Sequence, residues 1–281
     1  MAILEISEIV SEIKKNNYRP LAQAISFIEN KSKEYLEVLN ELPLTPKPII
    51  GITGPPGVGK STLSDSLLNY LAAFNKRIAM LCIDPSSFKN NGAVLGDRLR
   101  FERASNPNLY IRSFGNRGQL GGLNKSIWEI CWLLQACPFD WIFIETVGVG
   151  QNEIDICKLA FPAIIVLSPD VGDEVQMMKS GLLEIADIFV INKSDHPNIN
   201  HYYKQLVNTM QEAHRTVPII KTQADKDIQT IELAQKILDL IEKNMLPDKK
   251  ILFLTEIFYQ LIWDKRMGQI NKDILTQTIL T

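Results

Sequence analysis

The sequence predicts an α/β fold, a doubly wound and mainly parallel sheet with helical extensions at both ends. Three observations carry that prediction. First, residues 48 to about 245 alternate β-prone runs with helix-like segments, which implies parallel strands joined by crossover helices. Second, a Gly-rich turn at Gly54–Ser61 joins the first such run to the first such helix. Third, acidic and amide residues recur just after several runs, at the strand ends where ligands of open α/β sheets bind. The predicted strands are Ile49–Thr53, Ile78–Ile83, Leu109–Ile111, Trp141–Ile144, Ala163–Leu167, Ile188–Ile191 and Pro218–Ile220.

The turn between the first strand and helix reads Gly54-Pro55-Pro56-Gly57-Val58-Gly59-Lys60-Ser61-Thr62 and fits the phosphate-loop pattern of Gly, four residues, Gly-Lys-Ser/Thr. Leu63, Leu67, Leu68, Leu71 and Phe74 follow at helical spacing. A strand-to-helix turn aims backbone N–H groups and the positive end of a helix dipole at bound phosphate. The glycines let the backbone approach phosphate oxygens where a Cβ would collide. Lys60 suits the β- and γ-phosphates, and the Ser61 hydroxyl suits Mg²⁺. The sheet is thus expected to be a P-loop NTPase domain over residues 47–246, flanked by an N-terminal helical arm, 1–46, and a short C-terminal helical tail, 247–281.

In the 281 residues, 46% are hydrophobic, and a net charge of −2 gives no electrostatic steering toward nucleic acid or an anionic membrane. Cys82, Cys131, Cys137 and Cys157 form no CxxC pair, as expected of a reducing, cytoplasmic setting. The first residues lack the apolar stretch of a signal peptide, and no 18-residue apolar run predicts a membrane span.

In the arm, Leu21, Ala24, Ile25, Ile28, Tyr35, Leu36 and Leu39 keep helical spacing after Pro20 and predict packing against the nucleotide domain. In the tail, Phe253, Ile257, Phe258, Leu261 and Ile262 form an apolar stripe wide enough for a partner.

The remaining signals sit after strands. Asn192-Lys193-Ser194-Asp195 follows an apolar run and fits the guanine-reading pattern Asn-Lys-x-Asp; the alternative is a capped turn opening a helix near Pro197. A carboxylate at Asp195 pairs with both guanine N1–H and the exocyclic amine, and adenine would leave it unpaired. Asp84 and Asp97 belong to a long polar loop, where each either orders Mg²⁺ and the attacking water or is a solvated loop acid. Arg112, Arg117 and Gly118 follow the third strand, with phosphate contact and a structural ion pair as equal readings for an arginine there. Glu145 supplies an acid near Mg²⁺, and the Gly-rich turn after it, Gly148 to Gln151, permits a backbone N–H to sense the γ-phosphate. Asp173, Gln176 and Lys179, spaced by three beyond the fifth strand and after Gly172, suit a switch that meets a partner; a solvated amphipathic helix start is the other reading. His196, His201 and His214 are expected at the surface rather than as metal ligands.

In order and spacing, GPPGVGKST, IDPSS, LGDRLR, ETVGVGQNE, SPDVGDEVQMMK and NKSD resemble the MeaB/ArgK family of P-loop GTPases in the SIMIBI class, from about Arg19 to Ala224. That resemblance implies GTP/GDP and Mg²⁺ as cofactors. It implies Lys60, Ser61 and Thr62 as phosphate and metal residues, and Asp84, Asp97 and Glu145 as metal and switch acids. Asn192, Lys193 and Asp195 become base readers, and Asp173, Gln176 and Lys179 a third switch. It further implies a homodimer acting as a GTPase chaperone for an adenosylcobalamin-dependent acyl-CoA mutase such as methylmalonyl-CoA mutase, gating cofactor delivery and protecting the mutase. The alternative from the same resemblance is an ATPase or kinase accessory to lysine/arginine/ornithine transport, against which Asp195 argues. A nickel-insertion GTPase of the same class would need a soft-ligand site, against which the three histidines and the lack of a CxxC pair argue. Departures from the family pattern are Phe88-Lys89-Asn90-Asn91-Gly92 in the first switch loop, Thr222-Gln223-Ala224 in place of Thr-Ser-Ala beside the base, and a tail shorter than similar proteins carry, with candidate helices at 249–266 and 271–280.

Overall fold

A computed structural model of the chain describes residues 5–15, 17–43, 45, 47–84, 106–115, 126–146, 151–170, 182–243, 255 and 259. It divides into two compact units, Met1–Met245 and Leu246–Thr281. The tail stripe lies outside the described residues, as do Asp97, Arg117, Gly118, Gly148, Asp173, Gln176, Lys179 and the 88–92 departure.

Seven strands form one sheet in the order β3-β2-β4-β1-β5-β6-β7, and every adjacent pair is parallel. They are β1 Ile49–Thr53, β2 Ile78–Asp84, β3 Leu109–Gly115, β4 Trp141–Thr146, β5 Ala163–Leu167, β6 Ile188–Ile191 and β7 Ile219–Lys221. Parallel sheets are covered on both faces, so their strands are apolar throughout rather than alternating. The wholly buried strands β1, β5 and β6 follow that rule. β1 lies between β4 and β5, where the strand order reverses and the loops diverge to open a ligand crevice.

Four strands run further than their apolar cores suggest, β7 by one residue to Lys221. β2 pairs through Asp84 with Gly115 of β3, and through Ile83 with Thr146 of β4, so backbone hydrogen bonding carries polar residues into the ladder. Asp84 and Glu145 therefore belong to strands rather than to the loops after them, and Arg112 lies inside β3. Arg112 is the structural cation of its two readings, since its guanidinium pairs with Glu29 at 3.2 Å.

Among the described residues the helices of the first unit are α1 Ile6–Lys14, α2 Tyr18–Asn30, α3 Tyr35–Asn40, α4 Lys60–Ala72, α5 Ser126–Ala136, α6 Gln151–Leu159, α7 Leu182–Ile185, α8 Ile199–Glu212 and α9 Thr230–Lys243. α4 and α9 pack together, and Leu63, Leu67, Leu233 and Ile237 bury against Ile52, Ile164, Val166 and Val190 of the sheet. α4 ends at Ala72, so Phe74 leaves the predicted apolar face and stands half exposed, edge-on to Tyr70. The arm is broken where Lys31 turns left-handed at φ 48°, which ends α2 and turns Leu36 outward while Tyr35 and Leu39 stay buried. It docks on α5 through Lys31, whose ammonium reaches the buried Glu129 at 2.6 Å, and on β3 through Tyr18, whose ring lies against Tyr110 and Phe139.

Candidate functional site

The loop from Gly54 to Gly59 leaves β1 at the reversal point and feeds α4. Gly54, at φ 141°, lies so close to β5 that a Cβ there would come 2.1 Å from the Val166 carbonyl oxygen. Lys60 is the first residue of α4, and its side chain, only 7% exposed, folds back so that the ammonium donates to the Gly54 and Pro55 carbonyls at 2.7 Å each. Gly59 has no side chain to cap α4, so the first amides of the helix have no side-chain partner at the N-cap. A buried cation beside the uncapped positive end of a 13-residue helix is the chemistry that polyphosphate requires.

Glu145 stands between Ile52 of β1 and Cys82 of β2 in register, 2% exposed. Its two oxygens accept the Ser61 hydroxyl at 2.6 Å and the Ser64 hydroxyl at 2.7 Å. Ser64, which sequence reasoning passed over, sits one helical turn beyond Ser61 and was legible only as that spacing. Below them Thr53 and Thr146 join hydroxyls at 2.7 Å between β1 and β4. Hydroxyl and carboxylate oxygens suit a hard cation such as Mg²⁺. Among the described residues no three His, Cys, Asp or Glu side chains gather to hold a metal by themselves. Asp84, the last residue of β2, ends two strands' width from Ser61's loop across β4.

The opposite wall is Asn192. Its amide nitrogen donates to the Val58 carbonyl at 2.9 Å, and its amide oxygen accepts from the Thr222 hydroxyl and the Ala224 N–H at 3.1 Å each. One side chain thereby ties the phosphate loop to the loop after β7. Thr222 and Ala224 of the Thr222-Gln223-Ala224 departure keep this role through a hydroxyl and a backbone amide, and Gln223 is buried without interrupting it. Lys193 takes φ 59°, its ammonium pairs with Asp170 after β5 at 2.8 Å, and Asp195 is exposed at the mouth of the turn. α8 opens at Ile199 after the Asn198 cap, so the tetrapeptide precedes the helix rather than capping it. His196 Nε2 lies 3.0 Å from an Asp170 oxygen, and its Nδ1 accepts the Asn198 N–H at 3.1 Å, a surface role. Gln151 opens α6.

Phosphate loop, buried lysine and amide clasp on a seven-stranded parallel sheet define the class as a P-loop NTPase fold. Solved structures share it: a LAO/AO transport system kinase superposes with TM-score 0.67 at 22% identity over 100% of this chain and 93% of that one, and Helicobacter pylori HypB in complex with nickel at 0.54 and 16% over 79% and 96%. The chain belongs to the MeaB family, whose profile, methylmalonyl Co-A mutase-associated GTPase MeaB, matches residues 21–247. A Pyrococcus abyssi protein with a GTPase name is 45% identical over 204 residues, 72% of this chain and 63% of that protein. The mouse mitochondrial methylmalonic aciduria type A homolog is 35% identical over 68% of this chain and 50% of its own length. The chain thus spans less than two thirds of these relatives. No described helix is long and apolar enough to cross a membrane.

Proposed function

We propose that this chain binds GTP with Mg²⁺ and hydrolyses it to GDP and phosphate, and that the cycle gates adenosylcobalamin delivery to a B12-dependent acyl-CoA mutase and protects that mutase. The observation that carries the nucleotide reading is the Asn192 clasp between Val58 and Thr222/Ala224, because it ties the phosphate loop to the base-side loops on one face of the sheet. Lys60 exchanges its two loop carbonyls for phosphate oxygens, and the α4 amides take the remaining charge. A magnesium ion held by the Ser61 hydroxyl would supply charge neutralisation to the phosphates. Ser61 and Thr62 meet phosphate and metal, and Glu145 orients the Ser61 hydroxyl, with Asp84 and Asp97 as further metal or switch acids. Asp195 accepts from the two guanine donors, while Gly148, Gln151, Asp173, Gln176 and Lys179 serve as switch and partner residues.

The mutase as client is supported by the family name and by the mouse relative's name. Calorimetric titration with GTP, GDP and ATP tests the base assignment; guanine nucleotides are expected to bind about a hundredfold tighter than ATP, and equal affinity would remove it. Affinity capture from the native cells with GTP analogue and with GDP tests the client: a B12 mutase is expected, and a permease would favour the transport reading. Light scattering tests the proposed homodimer, which a mass of one chain, 31.8 kDa, with and without GTP would reject.

A further inference from the structure

Asp170 and His196 lie outside the tetrapeptide that the nucleotide reading uses, yet they hold its lysine. Lys193 leaves β6 in the left-handed region, φ 59°, and its ammonium meets one Asp170 oxygen at 2.8 Å. The other Asp170 oxygen lies 3.0 Å from His196 Nε2. The Asn198 N–H donates to His196 Nδ1 at 3.1 Å, which leaves the proton of a neutral imidazole on Nε2. Asp170 is steadied from its own backbone, whose N–H donates to the Ser168 hydroxyl at 3.4 Å. Two separate segments converge here: Ser168–Asp170 after β5, and the turn from β6 to the N-cap of α8.

From this chain of contacts we infer that Asp170, backed by His196, is a positioning residue that pre-sets Lys193 for nucleotide binding. Both ends of the lysine side chain are held, the backbone by its turn and the ammonium by the carboxylate. The four methylenes between them form an apolar strip whose rotamer freedom is reduced before any ligand arrives. Ordering a lysine side chain is among the larger side-chain entropy costs, and meeting it in the free protein leaves less to be met on binding. The Lys193 hydrogen bond also holds the Asp170 carboxyl below the usual carboxylate range, so the anion persists at neutral pH. This inference rests on the reading of Asn192–Asp195 as the base site.

A double-mutant cycle on the whole chain with GDP as the probe tests it. Asp170→Asn is expected to raise the GDP Kd about threefold, the scale of one partly exposed charge pair, and His196→Ala to move it in the same direction. In a Lys193→Met background, which keeps the apolar stem but removes the ammonium, Asp170→Asn should have no further effect. The melting midpoint without nucleotide should stay at wild type in each variant, a readout that a merely structural role would move. An unchanged Kd in Asp170→Asn, or equal effects of that change with and without the Lys193 ammonium, overturns the positioning role alone. A wild-type chain that binds no GDP would instead bring down the base-site reading and this inference with it.

Discussion

The Ser61 hydroxyl donates to Glu145 at 2.6 Å, joining the first turn of α4 to the inner end of β4. Because Ser64 holds the second carboxylate oxygen at 2.7 Å, Glu145 has little freedom to rotate, and the orientation of the proposed metal-binding hydroxyl is set from behind. Glu145→Gln keeps the shape but replaces one acceptor by an amide donor facing a hydroxyl. GTP turnover at limiting Mg²⁺ is expected to fall about ten- to a hundredfold, the usual effect of losing an outer partner of a metal ligand. Turnover measured across a magnesium titration checks this, and a wild-type magnesium profile would contradict it.

Lys60→Ala should lower GTP hydrolysis at least about a hundredfold, on the scale of losing one preorganised electrostatic contact. Single-turnover measurement at saturating GTP reads the effect directly, and circular dichroism checks that the fold remains. Near-wild-type turnover would mean the loop is not the active site.

Gly59→Ala attacks the same loop through its geometry. The residue sits at φ 91°, and a Cβ would come 2.4 Å from the Asn192 amide nitrogen, which is bonded to Val58 on one side while its partner oxygen is held by Thr222 and Ala224. The side chain cannot swing away without releasing those bonds. A stability loss of about 1–3 kcal/mol in urea unfolding, with a weaker affinity for GDP, is the expected result. An unchanged denaturation midpoint would show that the clasp tolerates displacement.

The arm is tested at Lys31. Its ammonium pairs with Glu129, which is 1% exposed, and stands 4.6 Å from the Tyr35 ring centroid. Lys31→Ala leaves a buried carboxylate without this partner. Because the lysine itself is about a third exposed, the expected loss is about 2 kcal/mol, below the full cost of breaking a buried pair. Denaturant unfolding of the variant measures it, and a midpoint equal to wild type would show the arm is held by its apolar contacts alone.

The four cysteines are buried and none is in a disulfide, and burial pushes the Cys137 thiol up to about 12 and the Cys131 thiol higher still. Thiols are nucleophilic only as thiolates. Iodoacetamide at pH 8 should therefore leave the folded chain unlabelled at these positions and modify all four in urea, read by mass spectrometry. Rapid labelling of native Cys131 would refute this.

Much of the molecule was legible without coordinates because local patterns carried it. The runs predicted for β1, β5 and β6 match the observed strands residue for residue, since strands buried on both faces are mostly apolar and leave a clear local signal, with buried Thr53 of β1 satisfied by Thr146. Where backbone pairing set the end of a strand, apolar content fell short: β3 continues through Arg112 to Gly115, and β4 through Glu145 to Thr146. The break at Lys31 is hidden because helical spacing persists on both sides of one left-handed residue, and Phe74 leaves the apolar face because α4 stops two residues before the apolar periodicity does.

By itself the sequence determined the parallel α/β fold, the phosphate loop and the family, because those depend on short-range spacing of glycines, apolar residues and a few polar groups that a reader can count. Only the tertiary structure decided which of those groups meet. Ser64 joins Ser61 on one carboxylate 81 residues away, Asn192 reaches Val58 across 134 residues, and Asp170 receives Lys193 across 23. The physical reason is that parallel strands bring residues far apart in the chain to one edge of the sheet, and nothing local records which hydroxyl, amide or carboxylate will be opposite another there.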